Sequence, residues 1–466
     1  MTTTSSESNG TSARDYRVPA GSPWARAWRI PMYAGAAGFG MVAYGVWARP
    51  ERLAFSYLFA FFVALSLALG SLFFVLVLYV TKAAWGVTVR RIAELFIRPM
   101  SIFAVLVIPL ILPIPYFGLH YDPMRSLFPW WVTTVHGEVV AHDESRSHES
   151  YEAPLAEARG LAEREPAALR DLPVANVKRM QEAKEASDSR IVDHKRPFLN
   201  KYFFFGRLVA YLWIWTWLAS RYFGWSTEQD RTKALENTAA AQRFTPPALI
   251  LFAFSLTFFS FDWLLSLDAT WYSTIFGVYV FAQCALFQMA SLIAVSLLIR
   301  RSGLLGNAVN VEHYHDMGKL LFGWIVFWSY IAFAQFFLTW YSNIPDEVAW
   351  FHKRWGDNGG TWMGLSASLI VLHFFVPFWF LMSRNIKRRL PFLAAGAVCM
   401  ILMHIAEVYW IVMPNFGPME PSPLDVGCLL GVLGIYLAFV LHGIEEYRLV
   451  AVGDPRLVRA LEFENA

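Results

Sequence analysis

From Leu320 to Trp340 the chain carries no formally charged side chain, and a run of that length crosses the hydrocarbon core of a bilayer as an α-helix. Helix is required because, away from water, every backbone N–H and C=O must be satisfied within the segment itself. Comparable runs recur, and apolar length predicts ten spans: 30–47, 55–80, 100–117, 202–217, 248–267, 274–299, 320–340, 362–382, 392–413 and 426–442. Hydrophobic residues make up 56% of the chain and charged residues only 16%, more apolar surface than one soluble core hides. The expected fold class is all-α integral membrane, with about ten transmembrane helices.

An even number of crossings puts both termini on one side of the membrane. Lys and Arg concentrate at the connections on that side, with clusters at Arg26/Arg29, Arg90/Arg91, Arg231/Lys233, Arg300/Arg301 and Arg384/Lys387/Arg388/Arg389, whereas the short loops opposite hold only Arg49, Arg52, Lys353 and Arg354. By the positive-inside rule both termini are cytoplasmic. The chain then divides into a cytoplasmic tail (1–29), helices one to three (30–118), an extracytoplasmic insert (119–197), helices four to ten (198–446) and a second cytoplasmic tail (447–466). Residues 1–20 are polar and show no signal-peptide pattern, so the first span is expected to direct insertion.

The insert is net acidic, and its Ala/Glu/Arg-rich part from Tyr151 to Arg190 favours helix. It reads either as a solvated connector or as a docking surface for an extracytoplasmic partner. His120, His136, His142, His148 and His194 fall within it without a metal-ligand spacing. Cys284, Cys399 and Cys428 each lie in an apolar span and form no C-x-x-C pair, so no metal site, iron–sulfur centre or covalent haem is expected on this chain. Gly427, Gly431 and Gly434 make an extended G-x-x-x-G, and Ala36 with Gly40 make a second small-residue pair, both suited to close helix packing.

Ionisable residues inside spans are costly and so informative. Asp316 and Lys319 open the 320–340 span, and helical periodicity puts them on one face with Gly323, Tyr330, Ala334, Phe337 and Tyr341. Asp262 lies a turn inside the end of span five, with Asp268 at the boundary; His404 and Glu407 form an i, i+3 pair deep in span nine; and His373 lies a turn before Pro377. A series of such groups at different depths is what proton transfer across a membrane protein requires. The candidates are His315, Asp316 and Lys319 at one side, Tyr330, His404 and Glu407 in the middle, and Asp262 and Asp268 at the other. The chain presents no catalytic group of its own.

The stretches HDMGKLLF, FWSYIAFAQFFLTWYSNIPDE and FDWLLSLDATWYSTIFG resemble the smaller of the two NrfD-like (polysulfide-reductase-type) membrane subunits of bacterial alternative complex III, the ActF type. The resemblance implies two four-helix bundles, spans two to five and six to nine, flanked by the first and last spans. It also implies an inner-membrane respiratory complex that oxidises quinol and passes electrons to cytochrome c or another acceptor. Its iron–sulfur centres and c-type haems are expected on partner subunits, alongside a larger NrfD-like membrane subunit, and this chain is expected to contribute proton conduction, coupling and anchoring. Spans two and three carry no carboxylate or histidine to take a quinol proton, which directs the quinol site to the larger sister subunit. Three other readings stay open: a self-contained secondary transporter, a b-haem protein using His373 and His404 as axial ligands, and a purely structural membrane anchor.

Overall fold

The computed structural model describes residues 15–116, 119–133, 191–355 and 360–464. Most of the insert, including Tyr151 to Arg190 and His136, His142 and His148, lies outside them. Among the described residues nine helical spans are long and apolar enough to cross a membrane, and the chain is an all-α multi-pass membrane protein. In chain order, and including the helices that accompany them, these are α1 (Arg29–Ala48), α2 (Pro50–Val80), α3 (Val87–Ile111), α4 (Lys201–Thr232), α5 (Leu235–Leu267), α6 (Phe276–Arg301), α7 (Val311–Ser342), the short α8 (Pro345–Trp355), α9 (Met363–Met382), α10 (Leu390–Asn415) and α11 (Pro423–Glu446). The sequence reading of ten differs at α1. That helix has 20 residues, about 30 Å at 1.5 Å each, but glycines and tyrosines spread along it leave no 18-residue stretch as apolar as those in the other nine. A short antiparallel hairpin, Ile114–Tyr116 with Leu119–Tyr121, follows α3.

The glycines of α1 are there for packing. A Cβ on Gly38 would collide with the backbone of Gly431, and one on Gly434 would lie 2.8 Å from the backbone N of Gly35. The small-residue partners of the α11 motif are therefore Gly35 and Gly38, not Ala36 and Gly40; nothing lies within 4 Å of a Cβ on Gly40. The α1–α11 pair packs on α2. Helices α2 to α5 form one group of four and α6, α7, α9 and α10 a second, joined where α2 meets α6 and α10. There too a glycine sets the spacing, since a Cβ on Gly70 would meet the carbonyl of Cys284. The most deeply enclosed spans are α2 and α6.

Both ends of the chain meet at one end of the bundle. The Leu449 N–H donates to the Tyr16 carbonyl at 2.9 Å, Arg448 pairs with Asp15 at 2.6 Å, and Asn310, capping α7, donates to the Phe463 carbonyl at 2.9 Å. Helix α3 begins well before the predicted boundary at residue 100 because its charges are mutually compensated. Arg90 pairs with Glu94 (2.8 Å) and Asp454 (2.7 Å), and Arg91 pairs with Glu94 (3.0 Å) and Asp230 (2.8 Å). Burial of Asp454 alone would raise its pKa, but hydrogen bonds from Arg456 and the charges of Arg90 and Arg456 override this and hold it below the usual carboxylate range.

Candidate functional site

The buried polar groups of the second bundle converge on Glu407. Its Oε1 accepts from the Tyr279 hydroxyl of α6 at 2.5 Å and from the Trp328 indole N–H of α7 at 2.6 Å. Its Oε2 accepts no hydrogen bond and faces Nδ1 of His373 at 3.8 Å. That separation is too long for a direct hydrogen bond. The His373 ring stacks on Trp328 with centroids 3.9 Å apart. One turn before Glu407 on α10, His404 makes a 2.8 Å hydrogen bond to Ser66 of α2 and stacks on Phe287 at 4.2 Å. Glu407, His373, His404 and Gln283 are all fully buried.

A local departure from the α-helix positions His373. Residues Leu369–Phe375 form a π-helix, a widened turn that recurs at functional sites. Pro377 follows, and it has no N–H for the His373 carbonyl and a ring that would crowd it in an ordinary α turn. Around the carboxylate, both ring nitrogens of His373, Nδ1 of His404 and both amide atoms of Gln283 are buried without a hydrogen-bond partner among the described residues. Unpartnered buried polar atoms are rare in folded proteins, and buried water commonly satisfies those that occur.

Seven of the eight sequence candidates fall in four places, and Tyr330 lies apart from them. His404 and Glu407 belong to the site just described. Asp262 lies in the first bundle, where Arg207 binds both of its oxygens at 2.6 and 2.8 Å and Tyr211 donates to it at 2.7 Å; the guanidinium also lies over the rings of Phe198 and Phe203. Asp268 pairs with Lys353 at 2.5 Å and accepts from Thr270 at 3.0 Å. Beside it Lys195 donates to the carbonyls of Ala269 and Trp271, and burial lowers the pKa of that lysine against the opposing charge of Asp268. His315, Asp316 and Lys319 lie at the start of α7, where Asp316 and Lys319 form an ion pair and His315 is buried with Nδ1 unpartnered.

The face of α7 that periodicity marked as functional points outward. Lys319, Gly323, Tyr330, Phe337 and Tyr341 are all exposed, and Tyr330 is not in the Glu407 site. The inward stripe is Leu321, Ile325, Trp328, Ile331 and Gln335. Sequence reasoning weighted formal charge and so missed the uncharged donors Tyr279 and Trp328. The available signal was Tyr279 with Gln283, two polar residues one turn apart in a largely apolar span. It also left Arg207 unpaired, although Arg207 and Asp262 lie near adjacent ends of consecutive antiparallel spans. Both histidines proposed as haem ligands lie flat against aromatic rings, and no group of three or more His, Cys, Asp or Glu among the described residues is placed to hold a metal ion. Comparison with models of known protein families gives no match, and comparison with curated proteins gives none either.

Proposed function

We propose that this chain is the proton-conducting membrane subunit of a quinol-oxidising complex of the alternative complex III type, with Glu407 as its central proton-exchanging group. Electrons then run through iron–sulfur and c-type haem partners, quinol is oxidised at a larger NrfD-like subunit, and this chain lies in the inner membrane with both termini cytoplasmic. The observation that supports the reading best is the asymmetry of Glu407: one oxygen fixed by two donors, the other unpartnered and facing a histidine on a π-helix. Such a carboxyl is oriented by Tyr279 and Trp328 and exchanges its proton from Oε2, through water, with His373 and the adjoining Gln283 and His404. His315, Asp316 and Lys319 serve the cytoplasmic entrance, and Asp268 with Lys353 the opposite side.

Gentle affinity purification followed by mass spectrometry tests the assignment to a complex, which fails if no large iron–sulfur subunit or c-type cytochrome is recovered. On the same preparations, Glu407→Gln keeps an acceptor for Tyr279 and Trp328 while removing the proton site. The complex is expected to assemble at wild-type yield with a lower ratio of protons released to electrons transferred. An unchanged ratio removes Glu407 from the route.

A further inference from the structure

A cavity of about 570 Å³ adjoins the Glu407 site between α7, α8, α9 and α10, within the range of ligand pockets. Among the described residues no charged side chain lines it. Its outer lining includes Tyr330, Phe333 and Phe375, which are 67%, 63% and 49% exposed on membrane-spanning helices, so its mouth opens sideways into the bilayer and its occupant enters from there. The polar hydrogens of its inner wall are almost all committed. Tyr279 and Trp328 donate to Glu407, Trp410 donates to Ser366 at 2.7 Å, and the Ser366 hydroxyl donates to the Arg354 carbonyl at 2.8 Å. The exception is Trp355, at the end of α8, whose indole N–H is buried and has no acceptor among the described residues. A buried donor of this kind calls for an oxygen acceptor.

We propose that this cavity is a phospholipid site, with an acyl chain among its aromatic rings and the chain's ester carbonyl accepting from the Trp355 indole N–H. The depth fits, since α8 follows the end of a membrane span, the level at which tryptophans meet the headgroup region and ester carbonyls lie. The charge-free lining leaves the phosphate outside. A quinone ring, with carbonyls on opposite edges, would find one free donor in the buried wall and leave its other oxygen unpaired. Tyr279 and Trp328 belong at once to this wall and to the clasp on Glu407, so the lipid braces that clasp. The proposal goes beyond the proton reading and does not depend on it.

Native mass spectrometry of the full-length protein, in a mild detergent and after stepwise delipidation, tests the site. Wild-type protein is expected to retain about one phospholipid per chain. Trp355→Phe keeps the ring and removes the donor, and should lower retention about tenfold, the factor one hydrogen bond supplies. Ala332→Trp fills the cavity and should abolish retention, with thermal melting of both variants establishing that they fold. Reconstitution with phosphatidylglycerol should restore the bound mass to wild type alone. Equal retention in wild type and both variants overturns the proposal, as does recovery of one quinone per chain in place of the phospholipid.

Discussion

Asp262 shows how far a buried charge depends on its partner. With Arg207 bidentate and Tyr211 donating, each group offsets the desolvation of the other, and removing one side strands a buried ion at a cost of about 3–5 kcal/mol. Arg207→Met and Asp262→Leu are therefore each expected to lower the melting temperature of the purified protein sharply, and the double variant should recover much of the loss. Additive losses in the double variant would refute the pairing. Glu407 differs from Asp262 because its donors are neutral and one of its oxygens is unengaged. Sequence alone flagged both carboxylates but could not separate them, because what distinguishes them is the identity of neighbours brought from other helices.

At the level of elements, the helices were legible because a span has one physical requirement, a sufficient apolar length, and most spans meet it visibly. Two features were less legible. The start of α3 was hidden because Arg90, Arg91 and Glu94 read as a loop until Asp230 and Asp454 arrive from distant segments to pair with them. Which face of α7 turns inward was not legible, because periodicity groups residues by face without saying which one is buried, and the face carrying Lys319, Tyr330 and Tyr341 proved to be the exposed one. The α1–α11 contact gives a matched pair of tests. Gly38→Ala places a Cβ against the Gly431 backbone, which cannot yield, whereas Gly40→Ala meets open space. The first should destabilise the purified protein by about 1–3 kcal/mol. The second should leave it unchanged or stabilise it by up to about 1 kcal/mol, as alanine in place of glycine does within a helix. Equal melting temperatures for the two would refute the close approach.

For the molecule as a whole, the end at which the termini meet is held by charge. Asp454 is held below its ordinary pKa, so the stability it contributes is fully present above about pH 4 and is lost as the pH falls below that value. Asp454→Asn removes it at every pH. Trypsin at neutral pH should cut after Arg456 and Arg459 at least about tenfold faster in that variant, about the factor expected for loss of a charged hydrogen bond; unchanged cutting would show that the tail is fixed by other contacts. Orientation is tested by single cysteines on a cysteine-free background. Position 457 should resist an impermeant thiol reagent in intact cells and position 342, at the far end of α7, should react, with the reverse pattern inverting the topology.

The pairing of α1 with α11 also bears on how the molecule is made. Gly38 leaves the ribosome long before Gly431, and at about 5–20 residues per second the interval between them is roughly 20–80 s. During that time the glycine groove of α1 has no permanent partner and faces lipid or whatever holds nascent helices. The contact thus waits on α11, and a chain truncated before α11 would leave that groove permanently uncovered.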